Sequence, residues 1–151
     1  MMGLIFAVLI VAVLGPMAFV RLAPNDPARW HVAQDGPGWA KAPWDAVLSE
    51  TGGARLRLSA ATGAPVDLLA RLDAVALATP RTTRLAGSVA EGRITYVTRS
   101  ALWGFPDFTT AEARDDGLYI HARLRFGRED MGVNAKRLEG WLAAMSEGGK
   151  A

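Results

Sequence analysis

"FTTAEARDDGLYIHARLRF", residues 108–126, decides the fold of this chain. Asp116-Gly117 stands between two runs that alternate apolar and polar, the strongest short-range sign of a β-hairpin. A type I′ turn there needs positive φ at both central positions. It predicts that Asp115 faces Leu118, Arg114 faces Tyr119, Glu112 faces His121 and Thr110 faces Arg123. Successive side chains in a strand point to opposite faces. One face therefore carries Ala111, Ala113, Leu118, Ile120, Ala122, Leu124 and Phe126, with alanines small enough to admit a helix. The other carries Glu112, Arg114, Tyr119, His121, Arg123 and Arg125, and is expected to be wet and cationic.

Working outward, "ARLRLSA" (54–60), "TTRLAGS" (82–88) and "RITYVTRSAL" (93–102) have strand character. "PVDLLARLDAVALA" (65–78) switches to helical spacing, with Leu68, Leu69, Leu72, Val75 and Ala76 on one stripe. Pro65 suits the first turn, and Thr79-Pro80 ends the helix because the residue before proline avoids the α region. In "NAKRLEGWLAAMS" (134–146), Leu138, Trp141, Leu142 and Met145 repeat the helical stripe, with Asn134 or Asp130 as its cap. The expected fold is α+β, a two-layer sandwich of an antiparallel β-sheet with two helices.

The first twenty residues, "MMGLIFAVLIVAVLGPMAFV", carry no charged side chain before Arg21. Gly3 to Val20 as a helix spans about 27 Å, close to the roughly 30 Å hydrocarbon core of a bilayer. A soluble core helix would show a polar stripe, and a cleaved signal would show a basic start and a small-x-small cut. Neither is present, so residues 1–20 are read as a single transmembrane anchor meeting lipid through residues 3–20. Arg21 and Arg29 follow the span and no Lys or Arg precedes it, a bias that by itself keeps the domain cytoplasmic. Residues 21–44 hold Pro24, Pro27, Pro37, Pro43, Trp30, Trp39 and Trp44 without period, and read as an extended linker. Its tryptophans either sit at the membrane interface or pack on the domain, which occupies 45–151.

Composition excludes several chemistries. The 151 residues, half of them hydrophobic, make one ordinary domain beyond the anchor. A net charge of +2 argues against nucleic acid. Absence of cysteine removes thiol catalysis, thiolate metal sites and disulfides. With two histidines, three convergent metal ligands are not expected, and no phosphate-binding loop or nucleophile elbow suggests a cofactor. His121 opposite Glu112 is the one acid/base candidate, against the plainer reading of a cross-strand pair.

"RSALWGFPDF", residues 99–108, has an echo in "FGREDM", 126–131: aromatic, Gly, two residues, Asp, apolar. A left-handed glycine followed by an aspartate that accepts backbone N–H groups explains both as corners without any ligand. "TPRTTRLAG", "TRSALWGFPDF" and above all "RFGREDMGVNAKR" (125–137) resemble the DUF1499 family of bacterial and plastid proteins over roughly residues 45–145. Arg123 and Leu124 stand where the family often has serines. The resemblance implies an envelope or lumenal setting behind an N-terminal hydrophobic segment, hence an exported, periplasmic domain, and no established activity. Physically, Arg125, Asp130, Asn134 and Arg137, with Arg99 and Asp107 close by, form a polar cluster at the start of the last helix. Two arginines at a helix N-terminus suit an anion, while an Asp130 pair with Arg125 or Arg137 would merely fasten helix to sheet. The resulting expectation is a membrane-anchored domain that binds a small anion, a lipid headgroup or an envelope protein. An envelope enzyme using His121 and Glu112, or a plain scaffold, are the alternatives.

Overall fold

The computed structural model describes residues 1–148, so the last three positions of the domain expected over 45–151 lie outside the described residues. The chain runs α1 (Met2–Leu22), α2 (Pro27–Trp30), β1 (Val47–Glu50), β2 (Gly53–Ser59), α3 (Pro65–Ala78), β3 (Thr82–Ser88), β4 (Arg93–Arg99), β5 (Pro106–Arg114), β6 (Gly117–Leu124) and α4 (Val133–Glu147), with a 3₁₀ turn at Pro37–Lys41. The six strands form one antiparallel sheet in the order β1-β2-β6-β5-β4-β3. The fold is α+β, as expected.

Helices α3 and α4 cover one face. Leu68, Leu69, Leu72 and Ala76 meet Leu138, Trp141 and Met145 over Ala54, Leu56, Leu58, Ile94, Ala111, Leu118, Ile120 and Ala122. The alanines at 111 and 122 are fully buried, so helix and sheet do approach closely there. Pro65 occupies the first turn of α3, and Thr79 in extended conformation ends it.

The hairpin forms, but its register is two residues away from expectation. Arg114 pairs with Gly117, Glu112 with Tyr119 and Thr110 with His121. Asp115 and Asp116 make the turn, and none of residues 115–117 has positive φ. Gly117 serves closeness instead: a Cβ there would stand 2.1 Å from the Leu58 carbonyl oxygen on β2. A slip of two preserves parity, so the two faces are those expected from the alternation although the cross-strand partners differ. The His121–Glu112 cross-strand pair is thereby overturned.

The second face is not wet. Residues 24–44 cross it as a strap. Trp30 stacks on Phe108 at 4.0 Å between ring centroids, and Trp39 meets the edge of Tyr119 at 4.9 Å. The Arg57 guanidinium lies 4.3 Å from the centroid of the Trp44 ring. Main-chain groups of the strap bind side chains of the sheet: the Trp30 carbonyl accepts from Thr110 and Arg123, the Gln34 carbonyl from Arg114, and the Gln34 N–H donates to Glu112 at 2.6 Å. The cationic residues of this face are thus the strap's hydrogen-bond partners. Of the two readings of the tryptophans, packing on the domain is the one realised.

Candidate functional site

The motif residues separate into two places. Asp107 at the start of β5 takes the Arg137 guanidinium at 3.0 Å, and Arg137 also donates to the Asn134 side-chain oxygen at 2.5 Å. The Asn134 amide donates to Asp130 at 2.7 Å, and Asp130 accepts the backbone N–H groups of Gly132 and Asn134, capping α4. Asn134 is wholly buried. Burial pushes the Asp107 carboxyl above its ordinary value against the pull of Arg137. Burial acts the same way on Asp130, but the hydrogen bonds from Asn134 and Gly132 outweigh it and hold that carboxyl low. The chain Asp107–Arg137–Asn134–Asp130 contains two carboxylates and one guanidinium, so it ties helix to sheet with no cation left over.

Arg125 and Arg99 lie elsewhere. Arg125 donates to Asn25 at 2.7 Å and to the Ala23 carbonyl, holding the chain where it leaves α1. Arg99 donates to the Gly104 carbonyl at 2.9 Å. Gly104 and Gly127 both adopt positive φ, as the corner reading requires. Their aspartates diverge: Asp130 caps a helix while Asp107 binds Arg137.

His121 and Glu112 do not work together. Glu112 is occupied by Arg93 and the Gln34 N–H. The His121 ring sits between strap and sheet, 3.8 Å from a Glu50 carboxylate that Arg55 already holds at 2.8 Å. Burial, then Arg55 and Arg123, push its pKa down to about 3, so it is neutral and enclosed near neutral pH. Among the described residues, no group of three His, Asp or Glu side chains is placed to hold a metal ion.

The opening between Arg99 and α1 is the place that sequence reasoning missed. Arg21, on the last turn of α1, donates to the carbonyls of Leu102 and Trp103. A Cβ on Gly104 would lie 2.8 Å from the Arg21 side chain, so glycine lets the arginine lie across the loop. On one side of this loop is a cavity of about 410 Å³ lined by Arg21, Arg81, Thr83, Arg99 and Ser100. On the other, Trp103 and Phe105 face Pro16, Met17 and Val20 of α1 across a cleft of about 210 Å³. Phe126 joins this contact, meeting Phe19 and Phe105 at 6.3 and 6.2 Å. The residues of the cavity are far apart in sequence, and only the aromatic-rich 99–108 stretch signalled it.

The helix α1 is long and apolar enough to cross a membrane over Ile5–Leu22, a weak indication of an anchor because a signal sequence has the same character. No curated protein and no solved structure matches the chain. The model of the family described as protein of unknown function (DUF1499) matches residues 21–145, taking in the strap as well as the sheet and both packing helices. The chain belongs to the DUF1499 family.

Proposed function

We propose that this is a single-pass membrane protein whose α+β domain is seated on the bilayer surface and binds the headgroup layer there. The observation that carries the reading is the union of loop 100–105 with the end of α1. Trp103 and Phe105 lie beside residues 16–20, about 3–9 Å of helix rise short of Leu22. That depth is the interfacial layer when Ile5–Leu22 spans, and tryptophan is favoured in it. Leu102, Trp103 and Phe105 are 72, 42 and 40% exposed, an apolar edge beside an apolar helix. Arg21 reaches back over the loop to place its charge among headgroups. Binding rather than catalysis is favoured because His121 is enclosed and neutral and Glu112 is already paired.

We take the domain to be exported into the periplasm, which is supported by the setting that the family resemblance implies. The seat on the membrane is tested by the full-length chain in phosphatidylcholine nanodiscs carrying lipids brominated near the headgroup. Tryptophan fluorescence is expected to be quenched by these lipids, with the quenched component lost in Trp103→Phe. Equal quenching in wild type and Trp103→Phe would reject the interfacial loop.

A further inference from the structure

We infer that the cavity between Arg21, Arg81 and Arg99 binds the phosphate group of an anionic phospholipid headgroup, with an acyl chain in the apolar cleft across the same loop. The inference deepens the membrane-surface reading and rests on it for the source of the phosphate.

Three guanidinium groups from three separate parts of the chain meet at this cavity. Each is oriented by uncharged oxygens: Arg21 by the carbonyls of Leu102 and Trp103, Arg81 by that of Arg99, and Arg99 by that of Gly104. Carbonyls fix direction without neutralising charge. Among the described residues, the ion pairs are made by Arg55, Arg84, Arg93 and Arg137, and none by these three. Several other arginines also lack a carboxylate partner; what sets these three apart is that they line one opening together. Arg81 also holds φ of 59°, a backbone conformation that glycine or asparagine adopts more readily, so an arginine stands there against local preference. Arg125 stands within the field of Arg99: burial lowers its pKa first, and the charges of Arg29 and Arg99 lower it further.

Guanidinium forks match phosphate oxygens, and the Ser100 and Thr83 hydroxyls on the wall add neutral donors. The second cleft distinguishes a lipid from a soluble anion. Gly104 lines the charged cavity while its neighbours Trp103 and Phe105 line the apolar one, so the two stand back to back. Polar and apolar sites a loop's thickness apart, beside a membrane-spanning helix, suit a molecule that is phosphate at one end and hydrocarbon at the other.

The test uses full-length protein in phosphatidylcholine nanodiscs doped with phosphatidylglycerol, released into native mass spectrometry to count retained lipids. Wild type is expected to retain phosphatidylglycerol in preference to phosphatidylcholine. Arg21→Gln and Arg81→Gln are each expected to weaken that preference about five-fold, the effect of about 1 kcal/mol per arginine at a membrane surface. Arg81→Lys should keep most of it. Arg84→Gln removes the same charge from an arginine already paired with Asp73, and should leave the preference unchanged. Equal retention of the two lipids by wild type, or an Arg84→Gln effect as large as that of Arg81→Gln, overturns the site. Thermal unfolding of each variant identifies any that fail to fold, and Arg81→Lys then carries the comparison. Inorganic phosphate separates the sources: a rise in melting temperature with phosphate alone assigns the site to soluble phosphate, and a rise only with phosphatidylglycerol assigns it to lipid. Bromolipid quenching of Trp103 that persists without any lipid preference removes this inference and leaves the membrane seat. Preference without quenching does the opposite.

Discussion

His121 shows how one half-buried side chain ties strap, sheet and solvent pH together. Its ring packs at 6.1 Å from Trp39 of the strap and beside Arg55 and Arg123 of the sheet. Charging it means placing a third cation among two, away from water. Its pKa therefore falls from 6.5 to about 3 on folding, chiefly through burial. For a base whose folded pKa is depressed, the stabilising state is the neutral one. The contribution is complete above the unfolded value of 6.5 and is lost as pH falls through the window down to about 3. The loss runs at up to about 1.4 kcal/mol per pH unit for one proton. Urea unfolding of wild type is expected to weaken progressively across that window. His121→Gln, which keeps a polar group of similar length without a titrating ring, is expected to flatten the decline. Parallel pH profiles for the two proteins would show that His121 is solvated and that the strap does not enclose it. Asp107 runs in the other direction, since burial raises its pKa, and its contribution fades as pH rises through the folded value.

At the scale of elements, the strap is the main departure from what periodicity shows. Its tryptophans obey no repeat because they follow the spacing of partners on the sheet: Trp30 on Phe108 and Val97, Trp39 on Tyr119. The cationic alternation of β6 is legible, and it suggests a solvent-facing surface because the strap's carbonyls are invisible in sequence. The strand β1, four residues long and half-buried, is too short to announce itself. The helix at 65–78 was legible to its ends, because proline marks its start and its stop. Likewise the Asp107–Arg137–Asn134–Asp130 chain was legible as proximity, since three of its four members fall within two turns of one another. The Arg21, Arg81 and Arg99 cavity was not, because its arginines are brought together by tertiary folding from the end of α1, a turn and a strand end. From the strap's contacts, residues 24–148 are expected to fold as a unit and residues 45–148 are not. The shorter piece leaves Phe108, Val97 and Tyr119 bare and strips Arg114, Arg123 and Glu112 of main-chain partners. Burying a large aromatic pair typically contributes several kcal/mol, comparable to the stability of a small domain. Urea unfolding and gel filtration of both pieces decide it. A cooperative transition of 45–148 at the same midpoint as 24–148 would make the strap an ornament.

At the scale of the whole molecule, α1 is tied to the domain by side-chain contacts, so on the proposed membrane reading one leaflet would be addressed. The contacts of Arg21 with loop 100–105, of Arg125 with Asn25, and of Phe19 with Phe126 leave no free tether between them. Two considerations about the side conflict. The charges flanking the apolar helix, Arg21 and Arg29 after it and none before, would by themselves favour a cytoplasmic domain. The setting implied by family resemblance is exported. In the folded protein those two arginines have structural duties: Arg21 binds loop carbonyls and Arg29 lies 5.1 Å from the Trp30 ring centroid. Their presence is thus explained without any topological role, which weakens the charge argument more than the resemblance. The domain is accordingly expected outside. Ser146 is exposed near the end of α4, far in sequence from loop 100–105, and the chain has no cysteine of its own. Ser146→Cys therefore introduces a single thiol without disturbing the seat. A membrane-impermeant maleimide is expected to label it on intact cells as fully as after lysis. Labelling only after lysis would put the domain in the cytoplasm, with its arginine cavity turned to the inner leaflet.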